Sequence, residues 1–411
     1  GTRIERTETT LAQIEQLLIN EIGQPDPGRK EQHPDSNLRM LITNIGVLMD
    51  WPAAYTPNSG SMDAFILVQL KNKPDMPRTV EYVDRIRKKL REQFPSVEFS
   101  FDTGGMLTAA LNMGEPAPIH IQISGSNLEV SHSIASIIVD KMIQVEGLTD
   151  VRIAQRMDYP IINIEIDRVK AAMAGITVDD VVKNLVTVTN SSIGFDPAFW
   201  IDKRNGNHYF IGAQYQEADL VSLETLRNIP VKGVGGKKTV SLHTLVKMTS
   251  KTGPAVINHR NITRVVDIYG SVLRGFDIGS VVSNIEERLQ FSQELKPILK
   301  KSDRGDYFEV SGAKFTGAGY NYVLSGEVAS MREALDQFLE GFLLALVLVY
   351  FVLVLQFRSF LDPFIVLLTV PMGLIGVAVM LFVTGTHLNI MAAMGIVMMV
   401  GLVVAYSVLL V

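Results

Sequence analysis

Three methionines in the last apolar stretch of the chain have the residue type and spacing that come closest to metal chemistry. Met391, Met394 and Met398 recur at i, i+3 and i+7, which places them on one face of a helix. Thioether sulfur is a soft ligand that suits Cu(I), so such a face could conduct a soft metal ion. Methionine is also a flexible apolar filler of helix bundles. We favour the filler interpretation and predict no metal site.

Other patterns for catalysis or nucleic-acid binding are missing from the sequence. The seven histidines are scattered, the chain has no cysteine, and no cluster of ligands has zinc spacing. No nucleophile–base pair stands out, and the Gly-rich basic turn from Lys232 to Lys238 lacks phosphate-loop spacing, which favours a hairpin. The formal net charge of −5 argues against a broad basic surface. We predict a protein that is not an enzyme, needs no cofactor and binds no nucleic acid.

Three long apolar runs near the carboxyl end dominate the architecture. They are Phe338 to Phe357, Pro363 to Thr384 and Leu388 to Val411, and the last two contain no charged residue. A bilayer core of ~30 Å needs about 20 residues of helix, so each run is long enough to cross it. The sequence predicts three transmembrane helices within residues 331–411, at about 336–357, 363–384 and 388–411.

The orientation of these helices follows from charge. Arg358 lies between the first and second runs, whereas the turn from Gly385 to His387 carries no Lys or Arg. The positive-inside bias puts Arg358 in the cytoplasm and the large soluble portion on the other side of the membrane. The chain opens on a charged helix start and ends inside an apolar run, so we expect it to be a piece of a longer polypeptide.

The soluble portion alternates helices and strands. Its first part predicts a helix, two strands, a helix and a strand, which is the order of a split βαβ unit without its first strand. These segments are Thr7 to Glu21, Leu38 to Met49, Met62 to Leu70, Pro77 to Phe94 and Val97 to Asp102. Either Thr7 or Thr9 is a candidate cap of the first helix.

A second set of strands and helices follows, interrupted by an insertion. Strand, helix and strand are predicted before the insertion, and again after it: Ala117 to Ser124, Val130 to Val145, Leu148 to Gln155, Thr263 to Val272, Ile278 to Leu295 and Asp306 to Ser311. Within the insertion, Pro160 to Asp167 predicts a strand, Thr177 a helix cap, and Ser191 to Asn207 an aromatic loop. The fold class predicted is α+β, with ferredoxin-like subdomains, an inserted subdomain and a helix bundle.

Several segments together resemble a known family. Leu355 to Pro363 reads LQFRSFLDP and is followed by IVLLTVP and LNIMAAMGIVMMVGLVV; the insertion begins with PIINIEIDRVKAAMAGITVDDVV and ends near NHRNITRVVDIYG. This pattern resembles the carboxyl-terminal half of resistance–nodulation–division (RND) efflux permeases, in the branch that exports hydrophobic and amphiphilic drugs. The resemblance runs over essentially the whole chain, and in combination its motifs are specific.

The resemblance implies a domain plan and partners. Residues 1–115 would be one porter subdomain, residues 116–160 and 253–330 a second, and residues 161–252 a docking subdomain. Such proteins are homotrimers in the bacterial inner membrane that work with a periplasmic adaptor protein and an outer-membrane channel. They take amphiphilic small molecules from the periplasm and the outer leaflet of the lipid bilayer, and they exchange them for protons.

The resemblance also suggests functional residues. Phe65 matches a pocket-lining strand, and Trp51 and Tyr55 lie near the position of a flexible pocket loop, where aromatic rings suit amphiphiles. In the drug-exporting branch, a lysine of the tenth span pairs with aspartates of the fourth, but Ala405 occupies the lysine position here.

The polar groups left in that span are Asn389, Tyr406 and Ser407, which either relay protons or make interhelical hydrogen bonds. Two alternatives to drug export stay open. One is a metal-ion exporter of the same superfamily, and the other is a membrane-anchored assembly or binding protein that does not transport.

Overall fold

The computed structural model describes residues 2–26, 33–46, 58–103, 116–216, 219–220, 222–233, 239–291, 299–301, 307–310, 320–385 and 390–410. These residues form two compact units, one of residues 156–255 and one that combines residues 2–155 with 256–411. Both units mix helices with antiparallel sheets, which confirms the α+β class.

The amino-terminal segment of the larger unit forms its own small core. Its elements are α1 (Ile4–Ile22), β1 (Leu38–Ile45), β2 (Ala64–Leu70) and α2 (Thr79–Gln93), and β1 pairs antiparallel with β2. The apolar faces of both helices pack on one side of this hairpin because their apolar residues recur at helical spacing. The buried residues of this cluster are Leu11, Ile14, Leu17, Leu18, Ile22, Leu38, Tyr82, Ile86 and Leu90.

Two predictions in this segment are wrong. The hydroxyls of Thr7 and Thr9 do not cap α1: the helix starts earlier, after Arg3, and both hydroxyls donate back to carbonyls one turn before them. Val97 to Asp102 is not a strand. Phe99 and Phe101 pack against the small core instead, and the Phe101 N–H donates to the Asp150 carboxylate rather than to a strand.

A seven-stranded antiparallel sheet forms the centre of the larger unit. Its elements are β3 (Ile119–Gly125), α3 (Leu128–Met142), β4 (Leu148–Ile153), β11 (Asn258–Arg260), β12 (Thr263–Val272), α8 (Ile278–Phe291), β13 (Leu299–Lys301), β14 (Tyr307–Val310) and β15 (Tyr320–Ser325). The strand order is β11-β12-β3-β15-β14-β13, and β4 also pairs with β12. The Asn127 side chain caps α3, where it accepts hydrogen bonds from the Glu129 and Val130 N–H groups. Chain segments before and after the insertion therefore meet in one sheet.

The smaller unit is built from short elements. They are β5 (Tyr159–Ile166), α4 (Arg168–Met173), α5 (Val178–Thr189), β6 (Ala198–Ile201), β7 (His208–Ile211), α6 (Leu223–Arg227), β8 (Pro230–Val231), β9 (Val240–Ser241), α7 (Leu242–Leu245) and β10 (Val246–Gly253). β5 pairs with β10 along its full length. Thr177 and Asp180 form a reciprocal capping box at α5, which confirms the predicted cap. β8 pairs antiparallel with β9 on either side of the predicted Gly-rich turn, of which residues 234–238 lie outside the described residues.

Long apolar helices follow the central sheet. They are α9 (Glu327–Phe357), α10 (Leu361–Leu367), α11 (Thr369–Thr384) and α12 (Ile390–Leu410). Within the described residues, α9 and the segment Leu361–Thr384 are long and apolar enough to cross a membrane, and most of their side chains are exposed. The third predicted span corresponds to α12, in which Ala392–Tyr406 is a shorter apolar helical segment. Three crossings therefore stay a prediction.

Candidate functional site

Phe65 lies on an outward-facing apolar surface. It is half-buried in β2, opposite Asn44 of β1, on the face of the hairpin that is turned away from the small core. Leu67, on the same face, is exposed, as is its cross-strand neighbour Ile42. This arrangement could line an apolar cavity, as the sequence analysis expected of Phe65, and Phe65 as a substrate contact stays a prediction.

The other predicted site residues are described only in part. Trp51, Tyr55 and Asn389 lie outside the described residues, and Ser407 is described only as part of the α12 backbone. Tyr406 is 65% exposed on the surface of α12. The structure therefore does not bring the predicted pocket residues and the predicted intramembrane residues into one site.

Two of the three methionines are exposed on α12, Met394 by 58% and Met398 by 69%. The Met391 side chain lies outside the described residues, so the choice between a filler and a metal path stays a prediction. Among the residues that the structure describes, no group of three or more His, Cys, Asp or Glu side chains could hold a metal ion.

One buried carboxylate organises the centre of the large sheet. Asp267 of β12 accepts hydrogen bonds from His120 Nε2 at 2.9 Å, from Gln122 Nε2 at 2.7 Å and from Gln155 Nε2 at 2.6 Å. Asn258 Nδ2 approaches the same carboxylate at 3.5 Å. His120, Gln155 and Asp267 are all buried, and the His120 ring stacks on Tyr269. This cluster ties together β3, β12 and the chain on both sides of the insertion.

The hydrogen bonds keep this carboxylate charged. Burial alone would raise the pKa of Asp267, but the hydrogen bonds from His120, Gln122 and Gln155 lower it below its ordinary value. Gln155 also accepts the Asp267 backbone N–H at 2.7 Å, so its amide is used as both donor and acceptor. The carboxylate oxygens are therefore engaged by donors from β3 and from Gln155, and the cluster holds these segments together.

The sheet joins the apolar helices directly. Gly326 alone separates β15 from α9, with φ 87° and ψ −155°, a conformation that is essentially restricted to glycine. Next to this junction, Arg332 of α9 donates two hydrogen bonds to Glu286 of α8, at 3.0 and 2.8 Å. Burial, together with the Glu286 charge, raises the pKa of Tyr322 of β15. The helix α9 is thus tied to β15 by a single backbone residue and to α8 by a bidentate ion pair.

The smaller unit carries an exposed aromatic hairpin, β6–β7. The sequence predicts a loop over Ser191 to Asn207, but Ala198–Ile201 forms a strand paired with His208–Ile211. This prediction was wrong because Asp202 to Asn207 form a tight connection that brings two apolar segments into register. The exposed large apolar side chains of the hairpin are Phe199, Trp200, Ile201, Tyr209, Phe210 and Ile211. Exposed apolar residues in such a group mark a surface for interaction with other molecules.

Sequence reasoning missed the Asp267 cluster. The only local signal was the polar alternation of His120 and Gln122 within an otherwise apolar strand, which is also typical of a strand with one solvated face. The partners of Asp267 lie up to 147 residues away along the chain, so their contact depends on the topology of the sheet.

The described residues combine an α+β portion with long apolar helices that continue from it at Gly326. Residues 36–300 and 310–411 match the AcrB/AcrD/AcrF family. The chain therefore belongs to this family of RND permeases, as the sequence analysis predicted.

Individual relatives point to a different branch from the one predicted. The chain is 25% identical to the cobalt-zinc-cadmium resistance protein CzcA of Cupriavidus metallidurans, over 82% of this chain and 30% of that protein. It is 24% identical to the cation efflux system protein CusA of Escherichia coli, over 72% of this chain and 26% of that protein. The drug-exporting branch predicted from the sequence is therefore corrected: these relatives are metal and cation efflux proteins.

A crystal structure of a heavy metal efflux pump has the same fold. It matches with a TM-score of 0.75 and 18% identity, over 98% of this chain and 37% of that chain. The present chain spans roughly a quarter to two fifths of the length of these relatives and structures.

Proposed function

We propose that this chain is part of an RND exporter of metal cations. The observation that carries the proposal is the similarity to CzcA and CusA over most of the chain, combined with membership of the permease family. The Gly326 junction and the Glu286–Arg332 pair support it, because a transporter must link movement of its membrane helices to its soluble part. Export of amphiphiles is the second candidate, favoured by the exposed apolar face that carries Phe65.

The remaining features of the family form part of the same proposal. The protein would be a homotrimer in the bacterial inner membrane, with its soluble portion in the periplasm and driven by proton exchange. Residues 1–115, and residues 116–160 with 253–330, would be porter subdomains, and residues 161–252 a docking subdomain. The exposed β6–β7 hairpin supports a docking role, in which the partners would be an adaptor protein and an outer-membrane channel.

Reconstitution of the full-length protein in proteoliposomes tests the substrate. With an imposed pH gradient, we expect gradient-dependent movement of Zn²⁺, Co²⁺, Cd²⁺ or Cu⁺, followed with a metal-sensitive dye, and no movement of a fluorescent cationic amphiphile. Movement of the amphiphile that Phe65→Ala reduces, without movement of any metal, would replace metal export with the second candidate. Movement of neither substrate by folded trimeric protein would support the non-transporting assembly role.

The Tyr406 hydroxyl provides a second test. If Tyr406 and Ser407 relay protons where Ala405 replaces a lysine, Tyr406→Phe should reduce gradient-driven transport about 100-fold, as expected for loss of one proton-transfer group. Tyr350→Phe in α9 is the matched control, because its hydroxyl donates to the Phe360 carbonyl at 3.1 Å in a turn. Equal transport by both variants would place proton coupling in other residues.

A further inference from the structure

The contact between the amino-terminal segment and the central sheet contains a buried ion pair. The small core of residues 2–103 draws its buried members from positions 11–90, so this segment is packed on its own residues. Across the contact, Arg87 and Arg91 of α2 reach Asp150 of β4. A second ion pair on the same helix, Glu81 with Arg274, is 3.4 Å long and exposed.

A bulge in the sheet presents Asp150 to these arginines. Thr149 is opposite Ser271 and Arg152 is opposite Tyr269, so two residues of β4 face one residue of β12 at this point. Asp150 is one of the two, and its φ is 53°, in the left-handed region that few residues other than glycine adopt. Bulges of this kind redirect a side chain out of the regular ladder.

Both oxygens of the Asp150 carboxylate accept hydrogen bonds. Oδ2 accepts from Arg87 Nη2 at 3.0 Å and from the Phe101 N–H at 3.4 Å, and Oδ1 accepts from Arg91 Nη2 at 3.0 Å. The Asp150 side chain is 0% exposed, whereas Arg87 is 12% and Arg91 55% exposed. The Arg87 guanidinium also lies over the Phe101 ring.

A contact made by an ion pair opens more easily than a contact made by an apolar core. Each charged group regains its hydration when the contact opens, which offsets much of the interaction that is lost. Polar contacts between separately packed parts of a chain are therefore compatible with relative motion. The geometry at Asp150 still defines one closed arrangement, because a buried carboxylate accepts charged hydrogen bonds in few other positions of the two arginines.

We propose that Asp150, Arg87 and Arg91 form a charge latch that holds residues 2–103 against the central sheet and opens during transport. The role in transport rests on the proposed export function. The existence of the latch does not rest on that function, because the separation of residues 2–103 from the central sheet can be measured directly as a distance.

Spin labels provide the test. The chain has no cysteine, so Lys88→Cys on α2 and Asp140→Cys on α3, both exposed, define one pair of labels in the whole chain. We expect a single narrow distance distribution by pulsed electron resonance with Asp150 present. Asp150→Asn should increase the fraction at longer distance about tenfold, because the arginines lose their charged partner.

Two further variants keep the test decisive. Arg91→Met removes the half-exposed partner and leaves Arg87 in place, so it should give a smaller shift in a protein that still folds. Glu81→Gln weakens only the exposed pair and should leave the distribution unchanged. An unchanged distance in both Asp150→Asn and Arg91→Met would overturn the latch. A shifted distance in a protein that moves no cation would uphold the latch and count against the export proposal.

Discussion

Alanine at Gly326 is expected to destabilise the junction between the central sheet and α9 by about 3 kcal/mol. The φ of 87° and ψ of −155° strain any residue with a Cβ, and a Cβ built there would lie 2.7 Å from the Pro118 carbonyl oxygen. That oxygen belongs to the backbone and accepts the Glu327 N–H at 3.1 Å, so it cannot move aside without loss of the bond. Hydrogen exchange of β15 and the first turn of α9 would report the loss as faster exchange.

Gly341→Ala is the matched control. Gly341 lies inside α9 with no atom near the position of a Cβ. Alanine there is expected to be neutral or to stabilise the helix by up to about 1 kcal/mol, because glycine is the weaker helix former. If the two variants exchange at the same rate, the junction is not the constrained point that its geometry indicates.

Replacement of Asp267 with asparagine is expected to lower the free energy of unfolding of the larger unit by about 3 kcal/mol at neutral pH. The amide removes the charge that His120, Gln122 and Gln155 solvate, and its NH₂ group would face their donors. Thermal unfolding followed by circular dichroism would measure the change. Asp140→Asn on the exposed face of α3 is the control and should change stability by less than about 0.5 kcal/mol.

The effect should depend on pH. The folded pKa of Asp267 is lowered, so its contribution to stability is fully present above the unfolded value of about 3.9 and disappears as pH falls through the folded pKa. Wild type and Asp267→Asn should therefore converge in stability as pH falls below about 4. A difference that stays constant down to pH ~3 would show that the carboxylate charge is not what stabilises the cluster.

Local periodicity predicted the elements that depend on neighbouring residues. The apolar spacing of Leu11, Ile14 and Leu18 predicted α1, and Thr177 was recognised as a cap because its partner Asp180 lies three residues away. The α2 helix buries Tyr82, Ile86 and Leu90, whereas Val80 is exposed.

Features that depend on distant residues were not predictable in this way. The segment from Val97 to Asp102 has residues typical of a strand, but among the described residues it pairs with no neighbouring strand. Its Phe101 N–H donates to the Asp150 carboxylate, and Phe99 and Phe101 pack on the small core. The Asp267 cluster and the Asp150 latch each join residues from separate elements. The pattern of a single sequence does not reveal such long-range contacts. The family was predictable because its motifs are local, whereas these motifs did not separate the drug-exporting branch from the metal and cation efflux relatives.

The Arg156 carbonyl accepts the Ala255 N–H at 3.0 Å, so the smaller unit closes on itself where the chain passes into and out of it. Because its two chain ends meet, the unit could be exchanged for that of another permease without stretching the sheet to which it is connected. If the smaller unit has the docking role proposed above, such an exchange would change the partners of the protein and leave the larger unit intact. Chimaeras joined at Arg156 and Ala255 would test this separation.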